Sequence, residues 1–248
     1  FMSFLIIYHF HRINGRTKIV IDTINREPTA EGKLKAYVMT SLIEAHKRIT
    51  VYDRVRMLSG ESFSFDEESL NLYDAVAPHH DKDYYERLLN ELNEALPGQG
   101  PVSSRLNDFK KNFIIPPQHL DKAFQAAIAE CRARTSKKIT LPEGEKFVID
   151  YVTGKPWSGY NWFKGNFFSL IQINTDLPIY IDRAIDLACH EGYPGHHVYN
   201  TLIESELVRK RGWTEFTVYP LFCPQSLIAE GTANYGIELT FPGDERVA

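Results

Sequence analysis

Apolar residues recur at spacings of three and four along the first part of the chain. Leu34, Tyr37, Val38, Leu42, Ala45, Ile49, Tyr52 and Val55 form one stripe, which predicts an amphipathic helix over 31–59 that stops at Gly60. Ser64 with Glu67 has the form of a capping box and predicts a short helix to about Val76. Asp83 to Leu96 reads as another helix, ended by Pro97-Gly98, and Gly98 to Ser104 reads as a loop. Pro116 opens a helix that runs to about Arg134, with its prolines in the first turn. The pattern then changes. Phe147 to Val152 predicts a strand, Thr153 to Gly159 a turn, and Asn161 to Asn174 a second strand with a bulge at Gly165. Helical period returns from Pro178 to about Tyr193, and a last helix is expected from Pro224 to Leu239. The fold class is therefore α+β, mostly α-helical, with a small β-sheet. The expected division is a helical region over 1–140 and a second region, carrying the chemistry, over 141–248. There is no internal repeat.

Composition narrows the function classes. Of 248 residues, 43% are hydrophobic and 24% charged, which are ordinary globular values and exclude fibrous and disordered chains. The net charge of −4 gives no general electrostatic reason to bind nucleic acid. No stretch reaches about 18 uncharged apolar residues, so no transmembrane segment is expected in this chain. The run Phe1 to Ile7 is too short to span and has its basic residues on the wrong side for a signal peptide. The ends read as those of a piece of a longer protein. Cys131, Cys189 and Cys223 are widely spaced and show neither a disulfide framework nor a metal-knuckle pattern.

The chemistry concentrates in Cys189-His190-Glu191-Gly192-Tyr193-Pro194-Gly195-His196-His197. In the zinc-hydrolase pattern His-Glu-x-x-His, two imidazoles at i and i+4 share a metal, and the Glu beside the first is general base. Here Pro194 occupies i+4. On a regular helix His190 and His197 share a face but lie about 10 Å apart along the axis, too far for one ion. The arrangement works if Pro194-Gly195 distorts the helix. A two-residue bulge returns His196 to the i+4 place, and His197 needs a three-residue excess. His190 and His196 are the favoured ligands. His197 is the second choice, or else supports the ligands or touches substrate. The third ligand is Glu230, an acid flanked by small and apolar residues on the last helix, with Glu238 as rival. Glu191 then moves the proton from water to the leaving group. Tyr193, His197 and Tyr235 are candidates to support the ligands, touch substrate or stabilise the oxyanion.

Plainer readings exist. The histidines could be a surface run or a helix cap, and Glu230 a solvated residue. His79-His80-Asp81-Lys82-Asp83 reads as a solvated N-terminal turn with Asp81 or Asp83 as cap. Cys189 reads as a buried apolar residue, with a Cys-His nucleophile as a weak alternative. The aromatic strand over 161–174 reads first as core.

Residues 157–240 resemble the bacterial domain of unknown function 885 family. That family carries His-Glu-x-x-Pro-Gly-His, then His or Tyr, and a downstream Glu-Gly helix. The pattern falls on His190, Glu191, Pro194, Gly195, His196 and His197, then Glu230-Gly231, with Thr232 where the family usually has Trp. The resemblance implies a mostly helical, gluzincin-like zincin metallopeptidase with a sheet beside the active-site helix. It implies an extended peptide pairing with an edge strand drawn from 161–174. It also implies longer family members with helices after the Glu-Gly element, and a cell-envelope or periplasmic setting. The expected protein is a zinc hydrolase with one Zn2+ per chain and a peptide or small amide substrate. A hydrolase of another amide or ester and a non-catalytic helical binding protein are its rivals.

Overall fold

In the computed structural model, residues 52–217, 219 and 224–246 are described. Most of the expected helix over 31–59, and the apolar run at the N-terminus, lie outside these residues. Its end is seen: residues 52–58 are helical and the chain turns at Gly60, whose φ of +88° only glycine adopts freely. Among the described residues the fold is α+β and mostly helical, with one three-stranded sheet.

Helix α1 (Phe65–Tyr73) starts as its capping box demands. The Glu67 N–H donates to Ser64 Oγ at 3.3 Å, and the Ser64 N–H donates to Glu67 Oε2 at 2.9 Å. It stops short of Val76 because Asp74 takes the left-handed conformation. Helix α2 (Lys82–Ala95) is capped by Asp81, which accepts from the Tyr84 N–H at 2.9 Å. The expected loop over 98–104 is shorter than predicted, and α3 (Val102–Lys111) follows it. Val102, Leu106 and Phe109 recur at spacings of four and three, a short helical stripe whose start is covered by the Pro and Gly loop signals before it. Arg105 adds a non-periodic hold, donating to the carbonyls of Leu96 at 2.9 Å and Gly98 at 3.2 Å and tying α3 back to the end of α2. Helix α4 (Pro117–Ser136) is the longest described element.

Strands β1 (Lys146–Val152), β2 (Gly159–Gly165) and β3 (Phe168–Asn174) pair in the order β1-β3-β2, with β1 parallel and β2 antiparallel to β3. The single strand expected over 161–174 is thus a hairpin. Asn166 and Phe167, both at positive φ, make its turn, and the register shifts just before it, between Phe163 and Gly165. Lys164-Gly165-Asn166 marked the break only as a bulge, because aromatic residues resume at once with Phe167-Phe168.

Pairing decides which residues face the helices. Phe147 lies opposite Ser169, and Ile149 opposite Ile171; on the other side Gly159 lies opposite Ile173 and Asn161 opposite Ile171. This face packs with Phe124 of α4 and with Ala184 and Leu187 of α5 (Ile181–Leu187) into one core. A second cluster joins Cys131 of α4 to Cys189, Tyr193 and Val198.

The described residues fall into two units. One runs from Pro78 to Leu202 and resumes at Ala229; the other holds the described residues before Pro78 and those of 203–228. Helix α4, drawn from the expected 1–140 region, belongs to the same unit as the sheet and the His190 segment. Among the described residues no helix is long and apolar enough to cross a membrane.

Phe124 is 1% exposed at the centre of the first core cluster. Phe124→Ala is expected to cost about 3–5 kcal/mol, measured by urea denaturation.

Candidate metal centre

The site begins where α5 ends. From Ala188 to Gly192 the helix widens to π geometry, and the Tyr193 N–H donates to the Ala188 carbonyl at 3.1 Å. The chain then leaves the helix at Tyr193 (φ −114°, ψ 114°), passes the cis Tyr193–Pro194 peptide, and restarts as α6 (His196–Leu202). The expectation of a bulge within one continuing helix is corrected to a stop and a restart. The Gly195 N–H reaches back six residues to the Cys189 carbonyl at 2.9 Å. A Cβ on Gly195 would lie 1.8 Å from the His190 oxygen and 2.4 Å from the Cys189 oxygen. Glycine is required there by lack of space, not by an unusual φ.

This reversal stacks the first turn of α6 over the last turn of the π segment. His190 Nε2 and His196 Nε2 are 3.1 Å apart. Helix α7 (Pro224–Asn234) brings Glu230, whose Oε2 is 3.3 Å from His190 Nε2 and whose Oε1 is 3.3 Å from His196 Nε2. These are the three residues among those described whose donor atoms cluster as metal ligands do. Tetrahedral bonds of about 2.05 Å place ligand atoms about 3.3 Å apart, so two imidazoles and a carboxylate at these separations fit one face of such an ion. The Glu230 side chain is 49% exposed, which corrects the expectation of a carboxylate inside an apolar face. Its buried neighbours are Ala229 and Ala233, and Glu238 is not part of the cluster.

Charge follows this geometry. Hydrogen bonds from His190 and His196 hold Glu230 well below the usual carboxylate range, outweighing the effect of burial. Burial pulls the His190 pKa down, but its bond to Glu230 and the charges of Glu191, Glu230 and Asp186 raise it overall.

Glu191 is 5% exposed. Burial raises its pKa; His196 and His190 pull the other way, and the Glu230 charge adds to the rise. Its Oε2 has no hydrogen-bond partner among the described residues. Edge strand β2 builds its pocket. A Cβ on Gly159 would meet Leu187 Cδ2 at 2.7 Å and Glu191 Oε1 at 3.1 Å, and Asn161 Nδ2 donates to the Glu191 carbonyl at 2.8 Å. On the same strand, Tyr160 has its pKa raised by burial and by the charges of Glu191 and Glu230.

His197 faces away from the cluster. It is fully buried, with Nδ1 2.9 Å from Ser169 Oγ on β3 and Nε2 3.0 Å from Glu145 Oε2. A neutral ring with its proton on Nε2 donates to Glu145 and accepts from Ser169. Tyr193 is buried too, and its hydroxyl donates to Glu145 Oε2 at 2.6 Å. Both side chains face the interior, where they contact Glu145. Tyr235 is 64% exposed at the turn before α8 (Gly236–Thr240). Cys189 is buried against Cys131 and Thr240, which closes its sulfur to a peptide or other bulky substrate. Asp81 caps α2, and among the described residues no metal cluster forms around it.

Glu145 was not anticipated. It precedes β1 in an ordinary polar loop, yet accepts from His197, Tyr193 and the Arg132 Nε–H, the last at 3.0 Å. Burial pushes its pKa up, and these donors outweigh burial and lower it. Gly159 and Asn161 carried a weak signal, since strand alternation puts them on one face. Comparison with protein-family models, curated proteins and solved structures finds no match for this chain.

Two outcomes follow from this geometry. Gly195→Ala pushes a methyl into backbone oxygens and is expected to cost about 3 kcal/mol or more in urea denaturation; Gly159→Ala, which meets only side chains, is expected to cost less. Because the folded pKa of Glu145 is depressed, its stabilising effect is present above the unfolded value of about 4.3 and is lost as pH falls through the folded one. The urea midpoint should therefore fall on acidification below about pH 5, and Glu145→Gln should flatten that fall.

Proposed function

We propose that this protein is a zinc-dependent hydrolase, with peptides as its substrates, of the gluzincin-like kind that its resemblance to the domain of unknown function 885 family implies. The observation that carries the reading is the cluster of His190, His196 and Glu230, within 4.8 Å of one another, with Glu191 next in sequence to the first ligand. Two nitrogens and one carboxylate oxygen suit zinc and leave a coordination position for water. Zinc held there would supply a Lewis acid and a water acidified to a pKa of about 7.

The chain's own residues account for the rest. Glu191 sits in a nearly dry pocket with one oxygen free, and its raised pKa suits a group that takes a proton from water and returns it to the leaving amine. Asn161 holds the backbone of Glu191 against β2, so the acid keeps its position. Among the described residues, strand β2 pairs with β3 on one side and is the sheet's edge on the other. An extended peptide added along that edge would run beside Glu191, which supports a peptide as substrate.

Elemental mass spectrometry of protein purified without chelator is expected to find about one zinc per chain, lost in His190→Ala. No zinc in the wild type, after zinc is added back, rejects the reading. Glu191→Gln should keep the zinc and lose about 10²–10⁴-fold in peptide turnover. Full turnover in that variant rejects Glu191 as the base.

A further inference from the structure

We propose that Cys131 and Cys189 are a redox-active dithiol that closes to an intramolecular disulfide, stapling α4 to the turn that carries His190. The two residues are 58 positions apart, yet their sulfurs lie 3.1 Å from each other. Their exposures are 0% and 1%. Buried cysteines ordinarily pack as small apolar side chains. Here two separate elements, α4 and the π segment, direct their sulfurs at one another inside a shell that includes Ala188, Tyr193 and Val198. A disulfide bond is about 2.05 Å long, so the sulfurs need to approach by only about 1 Å. An approach that small leaves the stop and restart at Gly192 to His196 in place. The bond therefore acts as a staple and not as an off-switch.

The oxidant is a peroxide small enough to enter a closed core, such as hydrogen peroxide. One cysteine sulfur attacks the peroxide, the O–O bond breaks, one water leaves, and that sulfur becomes a sulfenic acid. The second sulfur attacks the first, the S–O bond breaks, and a second water leaves. Two thiols and one hydrogen peroxide thus give one disulfide and two waters. The two electrons lost by sulfur reduce the peroxide. Cys189 precedes His190 directly, and its carbonyl receives the Gly195 N–H, so the staple fixes the backbone on which the metal cluster is built. The inference rests on the sulfur geometry and holds whether or not the cluster binds zinc.

The test uses the full chain. Reduced protein is treated with hydrogen peroxide, denatured in iodoacetamide and digested with trypsin. The expected product joins the peptide 123–132 to the peptide 184–209, at a mass about 2 Da below the sum of the two thiol peptides, with Cys223 recovered alkylated. The oxidised protein should melt about 5 °C or more above the reduced one, a difference that dithiothreitol abolishes and that is absent in Cys131→Ala. Recovery of Cys131 and Cys189 as alkylated thiols after peroxide treatment overturns the proposal. So does their appearance as sulfinic acids, or pairing with Cys223. These readings are made on the wild type, so the proposal remains falsifiable if Cys131→Ala fails to fold. Zinc content is measured on the same samples. Zinc without the cross-link rejects the staple alone, and the cross-link without zinc rejects the hydrolase alone.

Discussion

A backbone contact closes the turn on which the site is built. The carbonyl oxygens of His190 and Cys189 occupy the space where a Cβ on residue 195 would stand, and the second of them receives the Gly195 N–H. That contact lets the chain end one helix at Gly192 and begin another at His196 within four residues. Without it the imidazoles of His190 and His196 would sit on separate turns of a regular helix. Helix α8 depends on the same place, because Gly236 passes 3.4 Å from the Cys189 oxygen and 3.2 Å from Pro194 Cδ, measured from its own ideal Cβ. Two glycines thus allow three helical segments to converge on one turn.

The restart of α6 gives adjacent histidines opposite tasks. His196 faces Glu230 and His190, whereas His197 faces Ser169 and Glu145. A buried carboxylate such as Glu145 is costly unless it is fully partnered. Tyr193, His197 and Arg132 supply those partners, and in doing so anchor both ends of the Pro-Gly turn to the base of β1 and to α4. The candidate ligands are therefore held from behind by a polar network inside the fold, the kind of support that keeps metal ligands oriented.

Strand β2 completes the arrangement from the other side. Gly159 gives Glu191 room, Asn161 holds its backbone, and burial raises its pKa. One acid beside the cluster is thus kept nearly dry while the other, Glu230, stays half exposed and strongly acidic. Two carboxylates with separated proton affinities fit a division between proton carrier and ligand.

Much of this was legible along the chain. The helix stripes, the Ser64 capping box, Asp81 as a cap and the β1 strand are local, because side-chain periodicity and short-range hydrogen bonds decide them. The sequence also carried the candidate ligands His190, His196 and Glu230, since residue types and the Pro-Gly break are local information. Helix α3 was hidden because the loop signals of Pro97 to Ser104 overlap its first turn, and its hold, Arg105 on the carbonyls of Leu96 and Gly98, follows no periodicity. The β2–β3 turn was hidden because Asn166 and Phe167 take positive φ without a glycine at either position. Only the tertiary structure decided that His197 turns inward, that Glu145 and Ser169 receive it, that Gly159 and Asn161 frame Glu191, and that the sulfurs of Cys131 and Cys189 meet. Each of those contacts joins residues at least 28 positions apart. Which partners meet at that separation is set by how strands and helices pack, and no local periodicity records it.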